Sequence, residues 1–175
     1  MTRRVAVLRA AVAALAWLAA TPALALKVGD ALPALSAPAR DGTPLTLAQF
    51  RGKILYVDFW ASWCAPCQEE MPALDMLYRR YRERGLVVLG VNVDTDRRLA
   101  QRMLDKFAPS FPIAFDPQGE WPEAFALPAM PTGYLVDAKG VVRFIKSGYR
   151  PAELPQLEAA IQAVLGSNDD PAKSP

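Results

Sequence analysis

There is no histidine in this chain of 175 residues, and cysteine occurs only twice. Without histidine there can be no Ser-His-Asp or Cys-His nucleophile pair, no imidazole-based metal site and no Cys-x-x-Cys-His attachment of a c-type haem. Cys67 is in fact followed by Gln68. An excess of one charge is also lacking: 20 Lys and Arg against 18 Asp and Glu leave a formal charge of +2, too little to argue for a nucleic-acid partner. The short basic run of Arg79, Arg80, Arg82 and Arg84 reads as a solvated helix face.

Long apolar runs are scarce too. The first 25 residues differ in kind from the rest, with Arg3 and Arg4 ahead of an Ala-rich stretch from Ala10 to Ala20 and a small-x-small Ala23-Leu24-Ala25. That is the form of a signal peptide. Arg9 keeps the uninterrupted run below the roughly 18 residues that span a bilayer, so cleavage is favoured over a retained membrane anchor, although a tether through this segment stays open. Either way the body is expected to be exported to a periplasmic compartment, where disulfides persist. With 52% hydrophobic and 22% charged residues, the body fits one globular domain, taken as 26–166, with a polar, Pro-containing tail over 167–175 expected to be disordered.

From Val28 to Arg51 the chain is rich in Pro, Gly and Ala and reads as an extended lead-in with a short hairpin. "KILYVDFW" is a β-rich apolar run, the pattern of a strand buried on both faces. Met71, Leu74, Leu77, Tyr78 and Tyr81 then recur at helical spacing up to Gly85, with Pro72 inside the pattern. "LVVLGVNV" is a second buried strand, and Asp96 to Phe107 a second helix capped by Thr95 or Asp96. That order is a βαβα unit with parallel strands. "TGYLVD" and "VVRFIKSG" around Ala138-Lys139-Gly140 read as an antiparallel hairpin, and a helix with Pro151 near its start closes the domain. The expected class is α/β, a central mixed sheet with helices on both faces. Trp121 and Phe125, in the Pro-rich segment from Ala108 to Met130, read first as core residues and second as cover for a binding groove.

Cys64 and Cys67 close too short a loop to act as a staple, and two cysteines without histidine fall short of a zinc site. No metal site and no cofactor is expected. At the junction of a buried strand with a helix, Cys64 would sit at the helix N-terminus, where free N–H groups and the macrodipole favour a thiolate. Cys67, one turn on, could then attack a mixed disulfide formed at Cys64. Asp58 lies inside the apolar run, where an unpaired carboxylate tends to be protonated.

"VDFWASWCAPC", a helix carrying Pro72, and the later "AMPTGYLVDAKGVV" together resemble the thioredoxin superfamily, and more narrowly the exported TlpA/ResA-type thiol:disulfide oxidoreductases. The likeness covers about Leu32 to Leu165 and implies a thioredoxin fold. It makes Cys64 the nucleophile, Cys67 the resolving thiol and Pro131 a cis-proline, with Met130 and Thr132 beside it on the substrate side. Trp63 would flank the site in solvent, and Trp60 either flanks it or fills the core. Asp58 matches the buried acid of true thioredoxins, and Glu70 an acidic position of ResA-like proteins. Either could accept the proton of Cys67. The resemblance further implies protein disulfide substrates, a membrane thiol electron donor, and a role in cytochrome c biogenesis or at copper-site thiols. Two other readings remain at this stage. One is a Cu(I) carrier using the cysteines, with Met71 or Met130 adding a thioether. The other is a thiol peroxidase, which would want Thr or Ser where Ala61 stands.

Overall fold

The structure is a computed structural model and describes residues 25–169. The proposed leader and residues 170–175 lie outside that range. Among the described residues no helix is long and apolar enough to cross a membrane.

The central strand β3 (Ile54–Trp60) is buried at every position, as its continuous apolar run requires. It pairs in parallel with β4 (Leu86–Asn92) from Ile54↔Leu86 to Trp60↔Asn92, the arrangement that a helical crossover dictates. That crossover is helix α1 (Ala65–Tyr81). A short 3-10 turn follows it and ends at Gly85, whose φ of 97° is left-handed and is reached without strain only by glycine. Helix α2 (Arg97–Phe107) is capped by the Asp96 carboxylate, which accepts the Arg98 N–H, and leads to strand β5 (Ile113–Phe115). After helix α3 (Glu120–Ala124), strands β6 (Thr132–Val136) and β7 (Val142–Ser147) form the expected antiparallel hairpin. The five-stranded sheet has the order β5-β4-β3-β6-β7.

The lead-in segment is a small antiparallel hairpin of strands β1 (Ser36–Pro38) and β2 (Pro44–Thr46). Its flanks bridge Ala39 to Ala114 on one sheet edge and Ala31 to Val141 near the other. Backbone groups at both edges thereby gain partners rather than inviting another chain to pair.

Two apolar cores follow from the two faces of the sheet. One holds Tyr56, Trp60 and both cysteines with Leu74, Leu77, Leu104, Leu157 and Ile161, under α1, α2 and the closing helix α4 (Leu154–Asp169). The other holds Leu55, Val57, Phe59, Tyr134, Trp121 and Phe125. Trp121 and Phe125 are therefore core residues on the face away from the cysteines, and they do not cover a groove beside them. Helix α4 runs three residues beyond the expected limit at 166, because Gly166 does not adopt a positive φ and does not act as a stop. The arginines at and beyond the end of α1 form no free patch: Arg79 pairs with Asp75, Arg80 with Glu158 and Arg82 with Glu83, and Arg84 lies over the Tyr81 ring.

Residues facing each other across neighbouring strands share a face. The register aligns Gly90, Asp58, Gly133 and Lys146 in one row across β4, β3, β6 and β7. Gly133 is obligatory for packing: a Cβ there would stand 1.9 Å from Tyr56 Oη, so the ring would have to move. Gly133→Ala is expected to destabilise the protein by about 1–3 kcal/mol, read from urea denaturation, and stability equal to that of the unmodified chain would contradict the packing described.

Candidate active site

Strand β3 ends at Trp60, and a tight turn carries the chain into α1. Cys64 N–H donates to the Ala61 carbonyl at 3.2 Å. Ser62 is fixed by Asp94, whose carboxylate accepts its N–H and its hydroxyl, both at 2.9 Å. Asp94 also accepts from Asn92 Nδ2 at 2.7 Å, and Gln68 Nε2 donates to the Ser62 carbonyl at 2.9 Å. The end of β4 and the first turn of α1 thus clamp the loop that presents the cysteines.

Cys64 is the N-cap of α1, and its Sγ accepts the Cys67 N–H at 3.3 Å. Cys64 and Cys67 are joined as a disulfide with Sγ–Sγ 2.04 Å. When the pair is reduced, the same N–H and the helix dipole favour a thiolate at Cys64. Cys67 lies deeper, 2% exposed against 5% for Cys64. Trp63 stands in solvent at 66% exposure, whereas Trp60 is fully buried and belongs to the core.

Below the cysteines lies a cluster of ionisable groups sealed from water. Glu70, one turn beyond Cys67 on the same helix face, is 2% exposed, and Asp58 is 4% exposed. Sequence reasoning placed both here and the structure brings them together. Burial, and secondarily the charge of Glu70, push Asp58 well above the ordinary carboxylate range. Burial raises Glu70 to about 7, against the opposing pull of the Lys146 ammonium. Burial also raises Tyr56, with added repulsion from Glu70 and Asp58, so its phenol stays neutral. Asp58 Oδ1, Glu70 Oε2 and Tyr56 Oη are buried with no hydrogen-bond partner in the protein.

Lys146 is the member that sequence reasoning missed. It is 6% exposed, and its Nζ lies 3.3 Å from Glu70 Oε1 and donates to the Gly148 carbonyl. The signal was present as a lysine between Ile145 and Ser147 near the end of an apolar strand. A register irregularity opposite Val136 hides its phase.

Beside the cysteines runs the loop before β6, with a cis Met130–Pro131 bond. The likeness to thioredoxins pointed to this isomer, whereas generic X-Pro statistics favour trans. Met130 is half-buried. Thr132, expected with Met130 and Pro131 on the substrate side, is fully buried. Its hydroxyl donates to the Ala129 carbonyl at 2.9 Å and lies 3.2 Å from Ser147 Oγ. In this position Thr132 braces the loop from inside. Gly148 N–H donates to the Pro131 carbonyl at 2.7 Å, joining the loop to the strand end that carries Lys146. Met71 is buried in the core, and among the described residues no three His, Cys, Asp or Glu side chains cluster to hold a metal ion.

The redoxin family profile matches residues 27–161. A thiol-disulfide oxidoreductase ResA of Geobacillus thermodenitrificans is 33% identical over 128 residues, covering 73% of this chain and 74% of that protein. Among solved structures, a thiol:disulfide interchange protein DsbE from Chlorobium tepidum superposes with a TM-score of 0.79 at 36% identity, over 81% of this chain and all of that one. StoA from Bacillus subtilis shares the fold at a TM-score of 0.63 and 23% identity, over 75% of this chain and 99% of that one. With the cysteine pair at the N-terminus of α1 and a five-stranded mixed sheet behind it, the chain belongs to the redoxin family of the thioredoxin superfamily, as a ResA-type thiol-disulfide oxidoreductase.

Proposed function

We propose that the protein is an exported disulfide reductase that acts on protein disulfides, with Cys64 as nucleophile, Cys67 as resolving thiol and a buried carboxylate as proton acceptor. The observation that carries this reading is the burial of Glu70 and Asp58 behind a cysteine pair whose outer member caps a helix. In the reduced protein the Cys64 thiolate attacks a partner disulfide, forming a mixed disulfide and releasing one partner thiolate, which takes a proton from solvent. Cys67 then passes its proton to the acceptor, and its thiolate attacks the Cys64 sulfur. The Cys64–Cys67 bond forms as the bond to the partner breaks, and two electrons have moved to the partner.

Glu70 is assigned as the first acceptor. Its value of about 7 lets it change protonation state in the range where the reaction runs. Asp58, likewise pushed up by burial and by the charge of Glu70, lies beside it as the second carboxyl of the cluster. Exposed Trp63 and half-buried Met130 form the edge on which an extended partner segment lies, with buried Pro131 and Thr132 bracing it. A reductant outside the cytoplasm must be recharged, which calls for a membrane thiol donor upstream. Downstream, the proposed substrates are the haem-binding cysteines of an apocytochrome c or copper-site thiols.

Stopped-flow reaction of the reduced protein with Ellman's reagent separates the two chemical steps, because each releases one equivalent of coloured thiol. Cys67→Ser is expected to release one equivalent and halt as the Cys64 mixed disulfide, and Cys64→Ser to lose the fast phase. A fast first phase retained in Cys64→Ser would overturn the nucleophile assignment. In the unsubstituted protein the second phase should quicken as pH rises through about 7, as Glu70 loses its proton. Glu70→Gln should slow that phase about 10-fold or more above pH 7 and remove the limb. An unchanged profile in Glu70→Gln would transfer the role to another group.

A further inference from the structure

A lysine with 6% exposure is uncommon in a protein of this size unless something holds it. Lys146 is held on three sides. Its Nζ lies 3.3 Å from Glu70 Oε1, donates to the Gly148 carbonyl, and sits 4.9 Å from the centre of the Tyr149 ring. Its neighbour across the hairpin is Gly133, over which the Tyr56 hydroxyl lies, and beyond Gly133 in the same row comes Asp58. One ammonium therefore faces two carboxyl groups, Asp58 from below and Glu70 from α1 above.

We propose that Lys146 is a positioning residue for the resolving step, holding the Glu70 carboxylate at the acceptor position next to Cys67 and tying it, through Gly148, to the Pro131 loop. This rests on the assignment of Glu70 as acceptor. Without the ammonium, both carboxyl groups would face only each other and a neutral phenol, and a buried carboxylate with no counter-charge takes up a proton. A protonated Glu70 cannot accept the proton of Cys67. Lys146 thus decides which of the two acids is free to act: its Nζ pairs directly with Glu70 Oε1 and not with Asp58. The second link is structural. Lys146 Nζ, the Gly148 carbonyl, Gly148 N–H and the Pro131 carbonyl form one connected series, so a partner segment laid against Pro131 presses on the strand end that orients the acceptor.

The groups facing Glu70 are Tyr56 and Asp58 from β3, Cys67 on its own helix, Lys146 from β7 and Tyr149 after it, with Glu153 near Lys146 at the lead-in to α4. Of these, Lys146 alone is cationic. Removing it should therefore move the Glu70 titration upward and no other way.

The test is the pH profile of the second phase with Ellman's reagent, measured for the unsubstituted protein, Lys146→Gln, Glu70→Gln and the double variant. Gln at 146 keeps a donor for the Gly148 carbonyl and loses the charge. Lys146→Gln is expected to shift the midpoint up by about one pH unit or more, with the first phase unchanged. In the Glu70→Gln background, which has lost the limb, adding Lys146→Gln should leave the rate of the second phase unchanged. An unmoved midpoint, a downward shift, or a further slowing on adding Lys146→Gln to Glu70→Gln overturns the proposal. Should Lys146→Gln not fold, the 13C titration of the side-chain carboxyls in the unsubstituted protein decides instead: Glu70 ionising before Asp58 supports it, and the reverse order overturns it. Absence of any second phase in the unsubstituted protein would instead sink the underlying exchange mechanism, so the two failures are distinct.

Discussion

Holding a carboxylate out of water beneath a disulfide, without leaving its charge alone, is the constraint from which the arrangement around Cys64 and Cys67 follows. Glu70 lies on the buried face of α1 because Cys67 does, three residues earlier on the same helix. Burying that charge unpaired would cost several kcal/mol, and Lys146 from the edge strand β7 compensates it at 3.3 Å. The register sets Lys146 beside Gly133, in the row that also holds Asp58. Tyr56 takes the remaining space over that glycine, which leaves its hydroxyl buried without a partner and excludes a larger side chain.

The same constraint accounts for the depth of the two cysteines. Cys64 caps the N-terminus of the helix, where free N–H groups favour a thiolate in the reduced pair, while Cys67 is carried inward by one turn to the neighbourhood of the acids. Attack and resolution are thus assigned to different environments, one electropositive and near solvent, one desolvated and next to a base. The turn from β3 into α1 must be rigid for this to work. Asp94 and Asn92, at the end of the neighbouring strand, fix Ser62, and Gln68 closes the loop from the helix side.

How much of this could be read from the residues depended on the length of each signal. Strand β3 and helix α1 were legible because "KILYVDFW" is a continuous run and Met71, Leu74, Leu77 and Tyr81 repeat over several turns. Asp58 stood out as an acid inside that run. Strand β5 was not seen, since three residues between Pro112 and Asp116 carry no period, and α3 is barely longer than a turn. The cis bond at Pro131 was accessible only through family likeness, because local physics favours trans. Lys146 escaped because β7 does not keep a simple alternation. Val142 and Ile145 face one core while Phe144 packs with the other, and Lys146 is assigned its side only by the pairing with β6. Thr132 was placed in the right loop, but which way its hydroxyl turned depended on the Ala129 carbonyl and Ser147, contacts set by the folded loop.

In the reading proposed above, the buried acid serves electron flow from the dithiol to partner disulfides, since a base beside Cys67 favours expulsion of a reduced partner. The most direct measurement is the reduction potential of the Cys64–Cys67 pair, by equilibration with graded dithiothreitol and glutathione buffers under anaerobic conditions. A value near thioredoxin's, about −270 mV, is expected of a donor-fed reductase. One near the roughly −120 mV of a strong periplasmic oxidant would reverse the direction and contradict the role given to Glu70 and Lys146.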